Sequence, residues 1–494
     1  MQFKDQEDDN PNKIPFHDNI VSEQDGSHTN FNKNDLKETS EVISRKIHAF
    51  ASTLMEQKDP TYQICQINDI ISTNSSIILS NKYLVGSLLS SLEETDFRNA
   101  IEVILVNEFS ELSLNLLKLI QILSEISVDI YKYISSIDMF TRICACILSC
   151  DDSVCYNEET NKMILNLLKQ YYSNKYIDNI SMIFENLSGI TSFFNEYPIL
   201  QLNFLRFVVN IPETNYPIDI PRARAGTILR CVSEINYIFD DLFEDKMIND
   251  KTISSLCKTY ILCLQQNPKT VIAASQKIQD CLQYFLVTDK FETKINLMLL
   301  ITEYNIAISK IDENPKINIS GFMKNHISPF IIKLLSDTDK YFNIIALNFI
   351  YSVASTNPSA VYAGLSADTL YSYLLGYMSE NTLEQKIITI KIVATLVQNG
   401  DYTLCKIDEV FMKFLEYLCE TTSLMESDII KNFSIIISGV MKFYHCLSER
   451  EWMSFVSHAE NCGIRDTLEE LLSEGTEDQF VYEVLDACYN MLLA

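Results

Sequence analysis

Residues 142–155 read RICACILSCDDSVC and bring four thiols, Cys144, Cys146, Cys150 and Cys155, into fourteen positions. Such a cluster raises one chemical question, whether it holds a metal. Tetrahedral zinc needs four convergent donors, usually supplied by two closely spaced Cys or His pairs. The spacing here is C-x-C-x3-C-x4-C, and no His occurs between His48 and His326. If the segment is helical to about Cys150, then Cys146 and Cys150 stand one turn apart, while Cys144 points roughly 160° away among Phe140, Ile143 and Ile147. The pattern reads as small apolar filling, a role free Cys often takes. No metal or other cofactor is expected.

Nucleophilic catalysis finds no better footing. The six His are His17, His28, His48, His326, His445 and His458. His445 and Cys446 are sequence neighbours, so on a helix their side chains diverge by about 100°, which separates a base from its nucleophile. The chain carries no Gly-rich phosphate loop, no G-x-S-x-G, no H-E-x-x-H and no kinase signature. A non-enzymatic protein is expected. Four of the nine Arg, namely Arg206, Arg222, Arg224 and Arg230, gather around PIDIPRARAG (217–226). They could pair with a partner's phosphate or carboxylate, but in so acidic a chain the favoured reading is neutralisation of Asp219, Glu234, Asp240 and Asp241.

Composition then says what must position these residues. Only 11 Gly and 11 Pro occur in 494 residues, and no Pro falls between Pro60 and Pro198 or after Pro358. So little punctuation favours long helices joined by short polar loops, and 47% hydrophobic content implies that most of them bury a face. The net charge of −27 disfavours nucleic acid and anionic membrane, both of which need a basic face. A protein or peptide partner, a basic one included, fits the balance with less strain. The start, MQFKDQEDDN, resembles neither a secretory signal nor a transit peptide, and no apolar run reaches the roughly 18 residues of a membrane span. Fourteen Cys without a disulfide-like spacing suit a reducing compartment, so a cytoplasmic location is expected, with the nucleus as the alternative. A monomer is expected. Residues 1–40 read as a flexible acidic tail, with order beginning near Asp35 to Glu41 and structure filling 41–494.

Within that region apolar residues recur at three and four positions, as in ELSLNLLKLIQILSEIS (111–127), where Leu112, Leu116, Leu119 and Leu123 share a broad stripe. The pattern also repeats at longer range. Residues 328–356 slide forward by 43 onto 371–399: Ile331 falls on Leu374, Ile344 on Ile387, Leu347 on Ile390 and Val353 on Leu396. A second step of 43 carries Ile387 to Ile430, Val393 to Ile436 and Val397 to Val440. Each unit reads as a helix ending in a Leu-Leu-like pair, a short polar loop, and a longer helix with a continuous apolar side. The longer helices are expected over 341–354, 384–398 and 428–441.

This unit resembles the armadillo repeat, whose third helix carries the pattern A-L-x-x-L-x-N-L-A. Ala346, Leu347, Ile350, Val353 and Ala354 occupy five of those positions, and the likeness is clearest over 320–445. It implies an all-α fold, a right-handed superhelical α-solenoid of armadillo/HEAT-like repeats, with roughly ten or eleven units across 41–494. It also implies a concave groove for protein segments. Importin-α-like transport adapters are similar in this respect, and they hold basic peptides on a ladder of Trp and Asn from successive third helices. Here the Asn position falls on Ser352, Thr395 and Ser438, and the Trp position on Asn348, Lys391 and Ser434. Asn186 and Asn210 match the Asn, with Met182 and Arg206 in place of Trp, though only 24 residues separate them. Candidate groove residues are thus Asn186, Arg206, Asn210, Asn348, Ser352, Lys391, Thr395, Ser434 and Ser438. Hydroxyls and a Lys in place of Trp and Asn remove the stacking surfaces and amides that hold a basic peptide. The expected function is a protein-binding scaffold, with a diverged transport adapter as the alternative.

Overall fold

The computed structural model describes residues 33–493 except 57, 106–108, 151–155, 173–176, 213–219, 245–247, 312–322, 324–326, 363–364, 407, 425 and 476–477. Residues 1–32 of the expected tail, and Cys155, lie outside the described residues. Those described form helices and turns without a strand, and the chain divides into two compact units at Leu242 and Phe243.

Unit 1 contains α1 (Lys33–Met55), α2 (Thr61–Thr73), α3 (Ser75–Ser80), α4 (Lys82–Glu94), α5 (Phe97–Leu105), α6 (Glu111–Ile126), α7 (Val128–Ile134), α8 (Met139–Leu148), α9 (Glu158–Tyr171), α10 (Ile177–Ser192) and α11 (Pro198–Val209). Nearly all of α12 (Ile220–Glu244) follows in the same unit. With so little Gly and Pro, the helices start on polar side chains. Asn81, Ser110, Ser127, Asp138 and Asn157 each accept a backbone N–H of the first turn, a contribution of about 1 kcal/mol apiece. Helices α2, α6, α9 and α11 pack side by side in one layer, and α5, α8 and α10 in another. The described residues begin within α1 at Lys33.

Unit 2 contains α13 (Asp250–Gln266), α14 (Thr270–Tyr284), α15 (Phe291–Ile308), α16 (Ser328–Leu335), α17 (Lys340–Thr356), α18 (Pro358–Val361), α19 (Ala367–Glu380), α20 (Leu383–Gln398), α21 (Glu409–Thr422), α22 (Ser427–Leu447), α23 (Glu449–Asn461), α24 (Ile464–Glu474) and α25 (Gln479–Leu493). Its longer helices α13, α15, α17, α20, α22 and α25 each pack on the next, as six rungs of one layer. Behind them run α14, α16, α19, α21 and α24. The three long helices expected from the 43-residue repeat are α17, α20 and α22. In the stretch from Pro358 to Gln398 a short, a medium and a long helix follow one another, which is the armadillo layout. Each unit is an all-α, armadillo-like solenoid.

Buried aromatics fill the rungs. Tyr260, Tyr304, Phe349 and Phe433 lie in the middle of α13, α15, α17 and α22, fully enclosed. Truncating one such ring to Ala typically costs about 3–5 kcal/mol. Register between repeats is set by polar contacts. Tyr133 Oη donates to the Leu92 carbonyl (2.9 Å), Tyr377 to Leu335 (2.5 Å) and Tyr444 to Cys405 (2.5 Å), spanning 41, 42 and 39 residues. Each hydroxyl thus fastens a helix to a carbonyl about forty residues earlier in the chain. A second tie runs inside the core: Gln385, which shares a capping box with Thr382, donates Nε2 to Asn343 Oδ1 (3.2 Å). Asn343 Nδ2 in turn donates to the Leu334 and Asp337 carbonyls, closing the loop between α16 and α17.

Candidate partner-binding face

The cysteine stretch resolves first. Helix α8 ends at Leu148, two residues short of the expected Cys150, because Ser149 folds back and donates its hydroxyl to the Cys146 carbonyl (2.7 Å). Cys144 and Cys146 are buried, and burial raises both thiols, that of Cys146 to about 12. Cys150 Sγ lies 3.8 Å from the Tyr156 hydroxyl. Among the described residues no three or more His, Cys, Asp or Glu cluster in a metal-binding arrangement. A thiol held protonated by burial is a poor nucleophile and a poor metal ligand. The described His side chains make local contacts: His48 faces Glu94 (3.5 Å), His458 Nδ1 contacts the Ser454 carbonyl, and His445 packs edge-on to Trp452.

What remains is a surface. Each inner rung of unit 2 is flanked by two other rungs and backed by the second layer, so only its fourth side meets solvent. On that open side α13 shows Lys251, Lys258 and Leu262, and α15 shows Leu299, Glu303 and Ile306. Helix α17 contributes Asn348, Tyr351 and Ser355; α20 contributes Ile387, Lys391 and Thr395; α22 contributes Asp428, Lys431, Ile435, Ser438 and Lys442. These positions recur at three, four and seven residues, one stripe of a helix. All are half-buried or exposed.

Four of the nine sequence-derived candidates share this face, on adjacent rungs: Asn348, Lys391, Thr395 and Ser438. Lys391 Nζ lies 2.7 Å from Asp428 Oδ2, joining α20 to α22. The hydrogen bond and charge of Lys391 hold the Asp428 carboxyl below the usual carboxylate range. Ser352 and Ser434 do not belong to the face, contrary to the motif-based placement, because both are buried. Ser352 Oγ donates to the Phe349 carbonyl (2.8 Å) and receives Asn305 Nδ2 from the previous rung (3.3 Å), while Ser434 Oγ donates to the Lys431 carbonyl (2.8 Å). They hold rungs together beneath the surface.

The other three candidates lie in unit 1 and do not line up as a ladder. Asn186 sits at a non-helical break within α10 and donates to the Met182 carbonyl (3.1 Å). Arg206 of α11 donates to the Asn203 side chain, and Asn210 closes the same helix, its N–H on the Arg206 carbonyl (3.1 Å). Arg230 also differs from expectation. Its guanidinium lies 4.0 Å over the Phe184 ring and donates to the Phe184 carbonyl (2.5 Å), so ring and backbone take the place of the expected carboxylates. Residues 217–219 and the Arg222 side chain lie outside the described residues. Reasoning from the sequence missed Tyr351, Ile387, Lys431, Ile435 and Lys442. Their signal was the helical stripe itself, extended past the positions that the armadillo motif names.

No protein-family model matches the chain, and no curated protein matches it. Among solved structures it is similar to an engineered protein known from its crystal structure, with a TM-score of 0.52 and 11% identity over 91% of this chain and 99% of that one. It is also similar, at lower scores, to a designed armadillo repeat protein (TM-score 0.32, 16% identity, 59% of this chain and 99% of that one). A third similar structure is UNC-45 from Drosophila melanogaster (TM-score 0.24, 11% identity, 91% of this chain and 66% of that one). At such identities the first likeness concerns the fold alone.

Proposed function

We propose that this protein is a non-enzymatic scaffold that holds segments of partner proteins along the open face of the unit 2 rungs. The observation that carries this reading is the face itself. Five consecutive rungs, α13 to α22, present half-buried Leu, Ile and Tyr side chains interleaved with Lys, Asn, Ser and Thr. Partly buried apolar groups gain by losing their remaining water on contact, while the polar groups between them can pair with the backbone of an extended segment. All thirteen described Cys are free thiols, which fits action in a reducing compartment such as the cytoplasm or nucleus. The transport-adapter alternative has less support, since two of its ladder positions, Ser352 and Ser434, are covered.

Site-specific photo-crosslinking tests the proposal in the protein's own cells. A benzophenone side chain at Thr395 or Ser438 is expected to capture a defined partner, and one at Glu416 on the back layer is not. Capture through Glu416 alone would remove the open face from consideration.

A further inference from the structure

The two layers of unit 2 differ in charge. Of the six rungs, α13, α15, α17, α20 and α22 carry eight Lys against five carboxylates, and α25 adds two carboxylates and no Lys. The back helices α21 and α24 alone carry seven carboxylates against one Lys and one Arg. In a chain of net charge −27, a layer with an excess of cations stands apart. The Lys are also placed in register. Lys251 and Lys258 are seven residues apart on α13, and Lys431 and Lys442 eleven apart on α22, so each pair lies on one side of its helix. Two carboxylates face the same way: Glu303 on α15, and Asp428, which Lys391 engages at 2.7 Å. Leu262, Leu299, Ile306, Tyr351, Ile387 and Ile435 lie between the cations, all half-buried.

We infer that this open face receives an acidic segment of a partner protein bearing apolar residues, its carboxylates on Lys251, Lys431 and Lys442 and its apolar side chains among the half-buried Leu, Ile and Tyr. The inference rests on the scaffold reading and reverses the basic partner expected from net charge. The two are reconciled by distance. At physiological salt a charge is screened within about 8 Å, and packed helices lie about 8–10 Å apart. A segment on the open face therefore meets the rung Lys at contact range and the back-layer carboxylates only through screening.

The test uses the full chain and two fluorescein-labelled dodecamers, one repeating Asp-Glu-Leu-Phe and one repeating Lys-Arg-Leu-Phe, followed by fluorescence anisotropy at physiological salt. The acidic dodecamer is expected to bind more tightly than the basic one. Lys431→Glu with Lys442→Glu should weaken it at least tenfold, and Lys431→Ala with Lys442→Ala should weaken it less but measurably. Lys413→Glu with Arg465→Glu on the back layer should leave it unchanged, and circular dichroism should show all variants folded. Tighter binding of the basic dodecamer, lost on Ile435→Asp, would overturn the acidic partner and keep the scaffold face. Binding of neither dodecamer would also overturn the acidic partner while leaving the scaffold face to the crosslinking result. Acidic binding that ignores every open-face substitution would overturn both.

Discussion

Gly439 shows how tightly the rungs are fitted at the level of one residue. A Cβ built there would overlap Val397 Cγ1 on the neighbouring rung, whereas Gly86 and Gly376 have open space around theirs. Gly439→Ala is therefore expected to destabilise unit 2 by about 1–3 kcal/mol through overpacking, although Ala is the better helix former. A urea titration of the variant checks this, and an unchanged midpoint would refute it. The thiols differ in the same way. Cys446 is exposed while Cys144, Cys146, Cys257 and Cys281 are buried with raised thiols. In native protein Ellman's reagent should modify Cys446 well before those four, and mass mapping of the labelled peptides would reveal the order. Asp428 supplies a pH signature. Because Lys391 lowers its folded pKa, the pair's contribution is complete above the ordinary carboxylate pKa and is lost as pH falls through the lowered value. Lys391→Met should raise the Asp428 titration midpoint seen by NMR. Any difference in Tm should appear at neutral pH and close in strong acid.

Between elements, stability depends on buried polar ties as well as on apolar area. Asn343 is 5% exposed, and its buried amide donates to the Leu334 and Asp337 carbonyls at the turn between α16 and α17. Asn343→Ala should cost about 1–3 kcal/mol, more than the ~0.5–1.5 kcal/mol expected for Tyr377→Phe, which removes a single hydroxyl. Equal losses in denaturant would contradict this account. The helices themselves were plainly written in the sequence. A 43-residue repeat of apolar positions located α17, α20 and α22 to within a few residues, except at the C-terminal end of α22, because continuous burial on one side leaves a strong periodic trace. Side-chain facing was less legible. Ser352 and Ser434 look like surface hydroxyls by motif position, yet both turn inward, where short side chains return hydrogen bonds to their own helix. Asn186 matched a motif letter but sits at a helix break, a feature that periodicity does not encode. The charge difference between the layers was hidden for another reason. Net charge sums over the chain, and only the packing order sorts Lys431 and Glu416 onto opposite sides.

At the scale of the molecule, each unit is a row of neighbours without a single central core, and stability should be distributed accordingly. Helix α25 covers α22 with Val481, Leu485, Cys488 and Leu492. Ending the chain after Gly475 should uncover that side of α22, lower the unfolding midpoint of unit 2 and increase binding of a hydrophobic dye. A truncated protein that melts like the full chain would argue against this transmission between neighbours. The tyrosine ties have a mechanical counterpart. Tyr133, Tyr377 and Tyr444 each hook a helix to a carbonyl about forty residues earlier, so a pull on the two ends loads these hooks one after another. Stretched between a surface and a cantilever, the chain should yield in a sawtooth, each tooth releasing about 140 Å, the extended length of one repeat. The same hydroxyls that set register at rest would then set the size of each step under tension.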